Sequence, residues 1–312
     1  MRRDVGPGTR DAEIDTVASR VPRPTSRFPS PLLLLISLIG VASFLYPFFL
    51  PAMAGVGVQT ARGGIEVPLV FTALGLACLL VILLEVQGRA GVGDRGASKL
   101  VALLGILVAV DATLRLVPSL LGASAIFLLI LLVGFAYGAE LGFLMGALTL
   151  FVSAILTGGL GPWLPYQMLG AGWVGMTAGC LPRIGGSGGR RELVMLALFG
   201  GLWGLLYGAI LNLMEWPFAA PGLNERAGLY WVPGMGFSET VSTYARFYVT
   251  TSLLYDAFRA GANVILVLAL GRPLLRLLDR YRDRFTWTPW VSVDSTGDGR
   301  VTSGRHSNYH AV

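Results

Sequence analysis

Long apolar runs alternate along this chain with short polar stretches that are rich in glycine and proline. Because about 20 apolar residues cross the hydrocarbon core of a bilayer, runs of this length predict membrane-spanning helices. Eight such runs lie at about 31–50, 68–84, 100–117, 122–138, 141–157, 167–181, 193–214 and 252–278. The pattern therefore predicts an all-α polytopic membrane protein in which two extra N-terminal helices precede a bundle of six.

Polar segments divide the predicted helices into four regions. We expect a cytoplasmic polar tail at 1–30, two additional transmembrane helices and a linker at 31–98, a six-helix core at 99–280, and a cytoplasmic C-terminal tail at 281–312. The first apolar run is longer than the 7–15 or so residues of a signal peptide, which predicts an uncleaved helix. Arginines concentrate in the tails and in alternate loops, so the positive-inside rule places both termini in the cytoplasm.

Composition agrees with a membrane protein and excludes several functions. The chain is 54% hydrophobic and 13% charged, against about 25% charged residues in soluble domains. Its net charge of +6 does not indicate nucleic-acid binding, because the basic residues lie between apolar segments. Both histidines, His306 and His310, lie in the polar tail, so we predict no metal site, no cofactor and no histidine chemistry within the membrane.

The stretch from Ser153 to Pro182 carries the strongest local signal. Pro162 and Pro165, placed among three glycines, prevent a helix from continuing through this stretch. Irregular backbone near membrane depth is tolerated only where protein or a water-filled cavity covers it. We therefore predict a turn from Gly158 to Tyr166 whose side chains line a cavity. The predicted lining residues are Trp163, Tyr166 and Gln167.

Polar side chains inside apolar segments are further candidates, because they are costly in a membrane and are commonly functional. Asp111 and Arg115 are four residues apart and can pair on one helix face. A second stripe, on the last helix, is expected to face either that pair or a bound ligand. We predict a pocket with aromatic walls and few polar groups. The predicted substrate-binding residues are Asp111, Arg115, Trp163, Tyr166, Gln167, Asn212, Asp256, Arg259 and Asn263.

Two other features bear on architecture. Glycines recur four residues apart, as in Gly142 with Gly146 and Gly175 with Gly179, which predicts close packing between neighbouring helices. The long segment from Glu215 to Thr251 contains several aromatic residues. It is predicted to be a loop that covers a pocket opening outward rather than a plain connector.

The sequence GPWLPYQMLGAGWVGMTAGCLP, at 161–182, resembles the fourth membrane helix of the S components of energy-coupling-factor vitamin transporters, and within that family the cobalamin-type members. The resemblance extends over roughly 99–280, through LRLVP at Leu114–Pro118, the glycine-rich run at Gly134–Gly146 and the helix ending GRPLLRLLDRYRDR. It implies a six-helix core with an outward pocket for a vitamin, here cobalamin or a related corrinoid. It also implies a transmembrane coupling protein and two ATPase subunits as partners.

The resemblance further implies a face of small residues, usually alanines, on the first core helix, where the coupling protein docks. Gly105 and Ala109 occupy that face here, without a strict Ala-x-x-x-Ala pattern. The chain has no G-x-x-x-x-G-K-[ST] loop for ATP, so ATP hydrolysis must take place on a partner.

Two other classes of function stay open at this point. A stand-alone secondary carrier would often contain inverted repeats with a broken helix in each half, whereas one broken region is visible in this sequence. An intramembrane enzyme acting on a lipid would need paired carboxylates, a nucleophile with its base, or a metal site at membrane depth. Asp111 with Asp256 is the one suitable couple. The sequence favours a substrate-binding subunit that is not an enzyme.

Overall fold

Helices account for nearly all of the described chain. The structure is a computed structural model that describes residues 29–54, 73, 84, 95–117, 121–184, 188–219, 228–232 and 234–285. The helices in these ranges are α1 (Pro31–Ala54), α2 (Arg95–Leu114), α3 (Ile126–Tyr137), α4 (Ala139–Thr157), α5 (Leu164–Gly179), α6 (Arg190–Ala219), α7 (Phe237–Thr251) and α8 (Leu253–Phe285).

Four of these helices are long and apolar enough to cross a membrane, namely α1, α4, α6 and α8. The short α3 is apolar throughout, and all 12 of its residues are buried. Since it spans only about 18 Å, it is the enclosed centre of the bundle rather than a lipid-facing span. These features confirm the predicted class of polytopic helical membrane protein.

Seven of the eight predicted segments correspond to α1–α6 and α8. The remaining one, at 68–84, lies outside the described residues except for positions 73 and 84. The predicted loop from Glu215 to Thr251 is helical in two parts, because α6 continues to Ala219 and α7 occupies Phe237–Thr251. No long apolar run marks α7; it is stabilised by packing on α6, where the hydroxyls of Tyr244 and Tyr248 donate to backbone carbonyls.

Glycines allow α3, α4 and α5 to pack backbone against backbone. A Cβ atom at Gly134 or Gly142 would overlap the carbonyl group of Gly175, and one at Gly175 would overlap the carbonyl of Gly142. At the next crossing, a Cβ at Gly146 would overlap the carbonyl of Ala171. Small residues are therefore required at these crossings, which confirms the packing that the glycine spacing predicted.

The polar residues at the helix ends gather at two opposite ends of the bundle. We call the end where α2 and α4 finish and α5 and α8 begin the upper end, and the other the lower end. At the lower end, Arg183 and Arg282 both bind Asp279 at 3.1 Å. They also donate to the carbonyls of Phe135 and Ala136, which lack helical partners at the end of α3.

The break between α4 and α5 is shorter than predicted. Gly158 ends α4 with a φ of 67°, a left-handed conformation that glycine adopts without strain. The next helix already begins at Leu164, because Pro165 sits in its first turn, where a missing N–H costs nothing. The turn therefore ends at Trp163, and the prediction that it extends to Tyr166 is wrong.

The N-terminal helix α1 packs on the core through α5 and α6. Ser30 caps it by accepting a hydrogen bond from the Leu33 amide. Trp173 of α5 donates to Ser37 of α1 at 3.0 Å. Gly40 lies so close to α5 that a Cβ there would come within 2.9 Å of Leu169. The first added helix is thus an integral part of the packed bundle.

Replacing Gly40 with Leu tests whether α1 docks in this way. The added side chain would meet Leu169 and Trp173, and overpacking of this kind costs about 1–3 kcal/mol. We expect a lower melting temperature in detergent. The matched control is Gly105→Leu, since a Cβ at Gly105 would meet no atom within 4 Å. Equal melting temperatures for the two variants would show that α1 does not pack here.

Candidate functional site

Arg115 connects the ends of three helices at the upper end. It follows the last residue of α2, and its Nη1 atom donates to Ser153 Oγ of α4 at 2.9 Å. Its Nη2 atom donates to Gln167 Oε1 of α5 at 3.3 Å. Ser153 is fully buried, whereas Arg115 and Gln167 keep part of their surface exposed. The structure therefore brings together two of the predicted site residues, Arg115 and Gln167.

Asp111 does not pair with Arg115, so the predicted pair on one face of α2 is wrong. Its carboxylate is fully buried, and Oδ2 accepts a hydrogen bond from Thr149 of α4 at 3.0 Å. Because α2 ends at Leu114, the Arg115 side chain is free to turn towards α4 and α5 instead of lying back along its own helix. Asp111 and Arg115 thus both face α4, at different levels.

The predicted polar stripe on α8 faces the glycine-rich side of α6. Arg259 Nη1 binds Asp256 Oδ1 at 2.5 Å and donates to the carbonyl of Gly204 at 3.2 Å. One turn further on, Asn263 Nδ2 donates to the carbonyl of Gly200 at 2.9 Å. A Cβ at Gly208 would overlap the Asp256 carboxylate. The side-chain donors of the stripe, on Arg259 and Asn263, therefore bind backbone carbonyls of α6, an arrangement the sequence did not predict.

Tyr207 of α6 lies beside Arg259 of α8. The Arg259 guanidinium is 5.4 Å from the centre of its ring, in the range of a cation–π interaction. The ring packs edge-on against Phe127 of α3 at 4.9 Å, and Gly170 of α5 leaves room for it. Tyr207 thus packs against α3, α5 and the Arg259 side chain of α8.

Three of the predicted site residues lie at the edges of this network. Trp163, in the turn before α5, is 44% exposed. Asn212 Nδ2 donates to Ser252 Oγ, between α7 and α8, at 2.7 Å. Tyr166 is fully buried, and its hydroxyl donates to the carbonyl of Ser43 on α1 at 3.3 Å. Of the predicted site residues, Trp163 is exposed, and Arg115, Gln167, Asn212 and Arg259 are partly exposed.

Sequence reasoning missed Tyr207, Thr149 and Ser153 as members of the network. A weak signal for the last two was available, because Thr149, Ser153 and Thr157 are four residues apart and form a hydroxyl stripe on one face of α4. Tyr207 had no comparable pattern, since it stands alone among the apolar residues and glycines of α6.

More than half of the chain matches the model of one protein family. Residues 99–271 match the model of the family "ECF transporter, substrate-specific component", where ECF stands for energy-coupling factor. The chain belongs to this family. The matched range covers most of α2, all of α3 to α7 and more than half of α8, and it contains every residue of the polar network.

As an ECF substrate-specific component, the protein is a membrane transporter subunit, and its family is not a family of enzymes. Substrate-specific components work with a module made of a coupling protein and ATPases. The N-terminal helix α1 lies outside the matched range. No curated protein and no solved structure matches the chain.

The predicted docking residues of this substrate-specific component lie on a free face of α2. Gly105 and Ala109 are exposed, and a Cβ at Gly105 would meet no atom within 4 Å. Their neighbours Ile106 and Val110 are 64% and 48% exposed. Within the described part of the chain, the fold leaves this apolar face of small residues without a packing partner.

Proposed function

We propose that the protein is the membrane-embedded, substrate-binding subunit of an ATP-driven ECF transporter that takes up a vitamin. The observation that carries this proposal is the network in which Arg115 holds Ser153 and Gln167 beside the exposed Trp163. These groups come from the ends of three neighbouring helices, and small-molecule sites combine few polar groups with aromatic walls in this way. Cobalamin or a related corrinoid is the proposed ligand, on the resemblance of the α5 stretch to cobalamin-type members.

Within this proposal the site residues have different roles. Trp163, Gln167 and Arg115 contact the ligand. Asp256 and Arg259 hold the α8 side of the site against α6, while Asn212 fixes the junction of α7 with α8. The remaining predicted site residues, Asp111, Tyr166 and Asn263, support the site from more deeply buried positions.

An intramembrane enzyme is disfavoured by the partners of the two carboxylates it would need. Asp111 accepts from Thr149 of α4, and Asp256 pairs with Arg259 on its own helix. Each is engaged with a different neighbour, so the two do not form a catalytic couple. A stand-alone carrier has no specific structural support either, since the family works with a separate energy module.

We also assign the lower end to the cytoplasm. In the described part of the chain, arginines concentrate at that end, as the positive-inside rule requires of cytoplasmic loops and helix ends. The site at the upper end would then open to the outside, as uptake demands, and both termini would be cytoplasmic. The lower-end arginines are Arg183, Arg190, Arg191, Arg272, Arg276, Arg280 and Arg282.

Truncating Trp163 to Ala tests the position of the site. We expect the affinity for cyanocobalamin, measured by calorimetry in nanodiscs, to fall by about 2 kcal/mol or more if the ring is a buried anchor in the complex. Gln167→Leu keeps the size of the side chain and removes the amide, so it should cost about 1–3 kcal/mol. The control is Phe237→Ala, at a position that is 87% exposed. Unchanged affinity in both site variants would place the pocket elsewhere.

Replacing Gly105 or Ala109 with Leu tests docking to the coupling protein. A larger side chain blocks the close approach of a partner helix, so uptake should be lost in cells that express the whole transporter while ligand affinity stays the same. Gly261→Leu is the matched control, because Gly261 is another exposed glycine with open space around it. If ligand binding falls as much as uptake, this face serves internal structure instead of docking.

Single cysteines test the orientation. In a chain whose Cys78 and Cys180 are replaced by Ser, we would introduce Ser238→Cys at the upper end and Arg190→Cys at the lower end. A membrane-impermeant maleimide should label the first in intact cells and the second only after permeabilisation. Labelling of both from the same side would exclude the proposed topology.

A further inference from the structure

We propose that the ligand carries an anionic oxygen group, a carboxylate or a phosphate, and that the Arg115 guanidinium binds it. This inference rests on the proposed function, because it takes the network around Arg115 as the ligand site. It adds the chemical class of the group that is recognised there.

The first step is the hydrogen-bonding capacity of Arg115. A guanidinium group has five N–H donors in a planar fork that matches two oxygens of a carboxylate or phosphate. Two of them are directed at Ser153 Oγ and Gln167 Oε1. These contacts hold the side chain in one orientation and leave donors available. The guanidinium is therefore positioned for a further acceptor.

The second step is the charge of the Arg115 guanidinium. Among the described residues, no carboxylate lies within ion-pair distance of Arg115, and both of its acceptors are neutral. The other arginine of the network, Arg259, is compensated by Asp256. Asp111 on the helix of Arg115 is fully buried, and its hydrogen-bond donor is Thr149. A half-buried cation without a counter-ion is unfavourable, and an anionic ligand would supply the missing charge.

The third step is the setting of the site. Gln167 lies in the first turn of α5, and the N-terminal end of a helix carries partial positive charge. The exposed ring of Trp163 stands beside this turn. An anionic group on an otherwise apolar or aromatic molecule would place its charge at Arg115 and the start of α5, and its body against the tryptophan.

Two classes of vitamin contain such a group. Cobalamin has a phosphodiester in its nucleotide loop, which cobinamide lacks, and acidic vitamins such as biotin and nicotinate have a carboxylate. Matched pairs therefore separate the sources: dicyanocobinamide phosphate with dicyanocobinamide, which differ in the phosphate and not in the ribose and base, biotin with biotinamide, and nicotinate with nicotinamide. In each pair, the first compound carries the anionic carboxylate or phosphate, and the second compound lacks it.

The experiment measures the affinity of all six compounds for the full-length protein in nanodiscs. For one pair, we expect the anionic member to bind wild-type protein about tenfold to a hundredfold more tightly than its neutral partner. Arg115→Gln should abolish this difference by weakening only the anionic member. Arg246→Gln is the control, because Arg246 lies on α7, where it donates to Thr243. The comparison of the two members of a pair on wild-type protein needs no variant. It therefore tests whether the anionic group is recognised even if Arg115→Gln fails to fold.

Three results would overturn the inference. A neutral member that binds wild-type protein as tightly as its anionic partner would show that the charge is not recognised, while the proposed binding function stands. Equal weakening of both members by Arg115→Gln would reduce Arg115 to a link between helices. If no compound binds, and mass spectrometry of the purified protein finds no bound small molecule, the proposed function fails together with the inference.

Discussion

The direct contact of α4 with α5 is the constraint on which the upper-end network depends. Gly142 and Gly175 let the two backbones touch, and no larger residue fits at either position. Because the helices are held together there, Ser153 and Gln167, which lie further towards the upper end, both come within reach of one guanidinium. A pair of glycines in the lower part of α4 and α5 thus sets the geometry of polar groups two to three turns away.

The backbone carbonyls of α6 accept hydrogen bonds from polar side chains of α7 and α8. Tyr248 donates to the carbonyl of Leu205, Arg259 to that of Gly204 and Asn263 to that of Gly200. Helical carbonyls retain a second lone pair, and glycines let side chains from α8 approach it. Together with the ion pair between Asp256 and Arg259, these bonds explain how α8 tolerates an aspartate, an arginine and an asparagine in one stripe, although such residues are costly in a membrane.

The sequence predicted the parts of the fold that depend on long apolar runs, and it failed where tertiary contacts decide. Each of the six predicted core segments corresponds to a helix whose ends lie within seven residues of the predicted ones, because each is a continuous apolar run. The sequence did not predict α7, because this helix has no long apolar run. It is held by hydrogen bonds from its own tyrosine hydroxyls to backbone carbonyls of α6. Likewise, the spacing of Asp111 and Arg115 permits an ion pair between them. In the structure Asp111 instead accepts a hydrogen bond from Thr149, and Arg115 donates one to Ser153, both on α4.

The packing of α1 also bears on where a coupling protein can dock. Gly40, Ser37 and Ser43 contact residues of α5, so α1 covers that side of the core, which a six-helix bundle would leave open. The small-residue face at Gly105 and Ala109 on α2 stays uncovered in the described structure. An added helix that covered the docking face would prevent assembly, whereas one that covers α5 and α6 leaves it free. The position of α1 against α5 and α6 is therefore compatible with the proposed docking at α2.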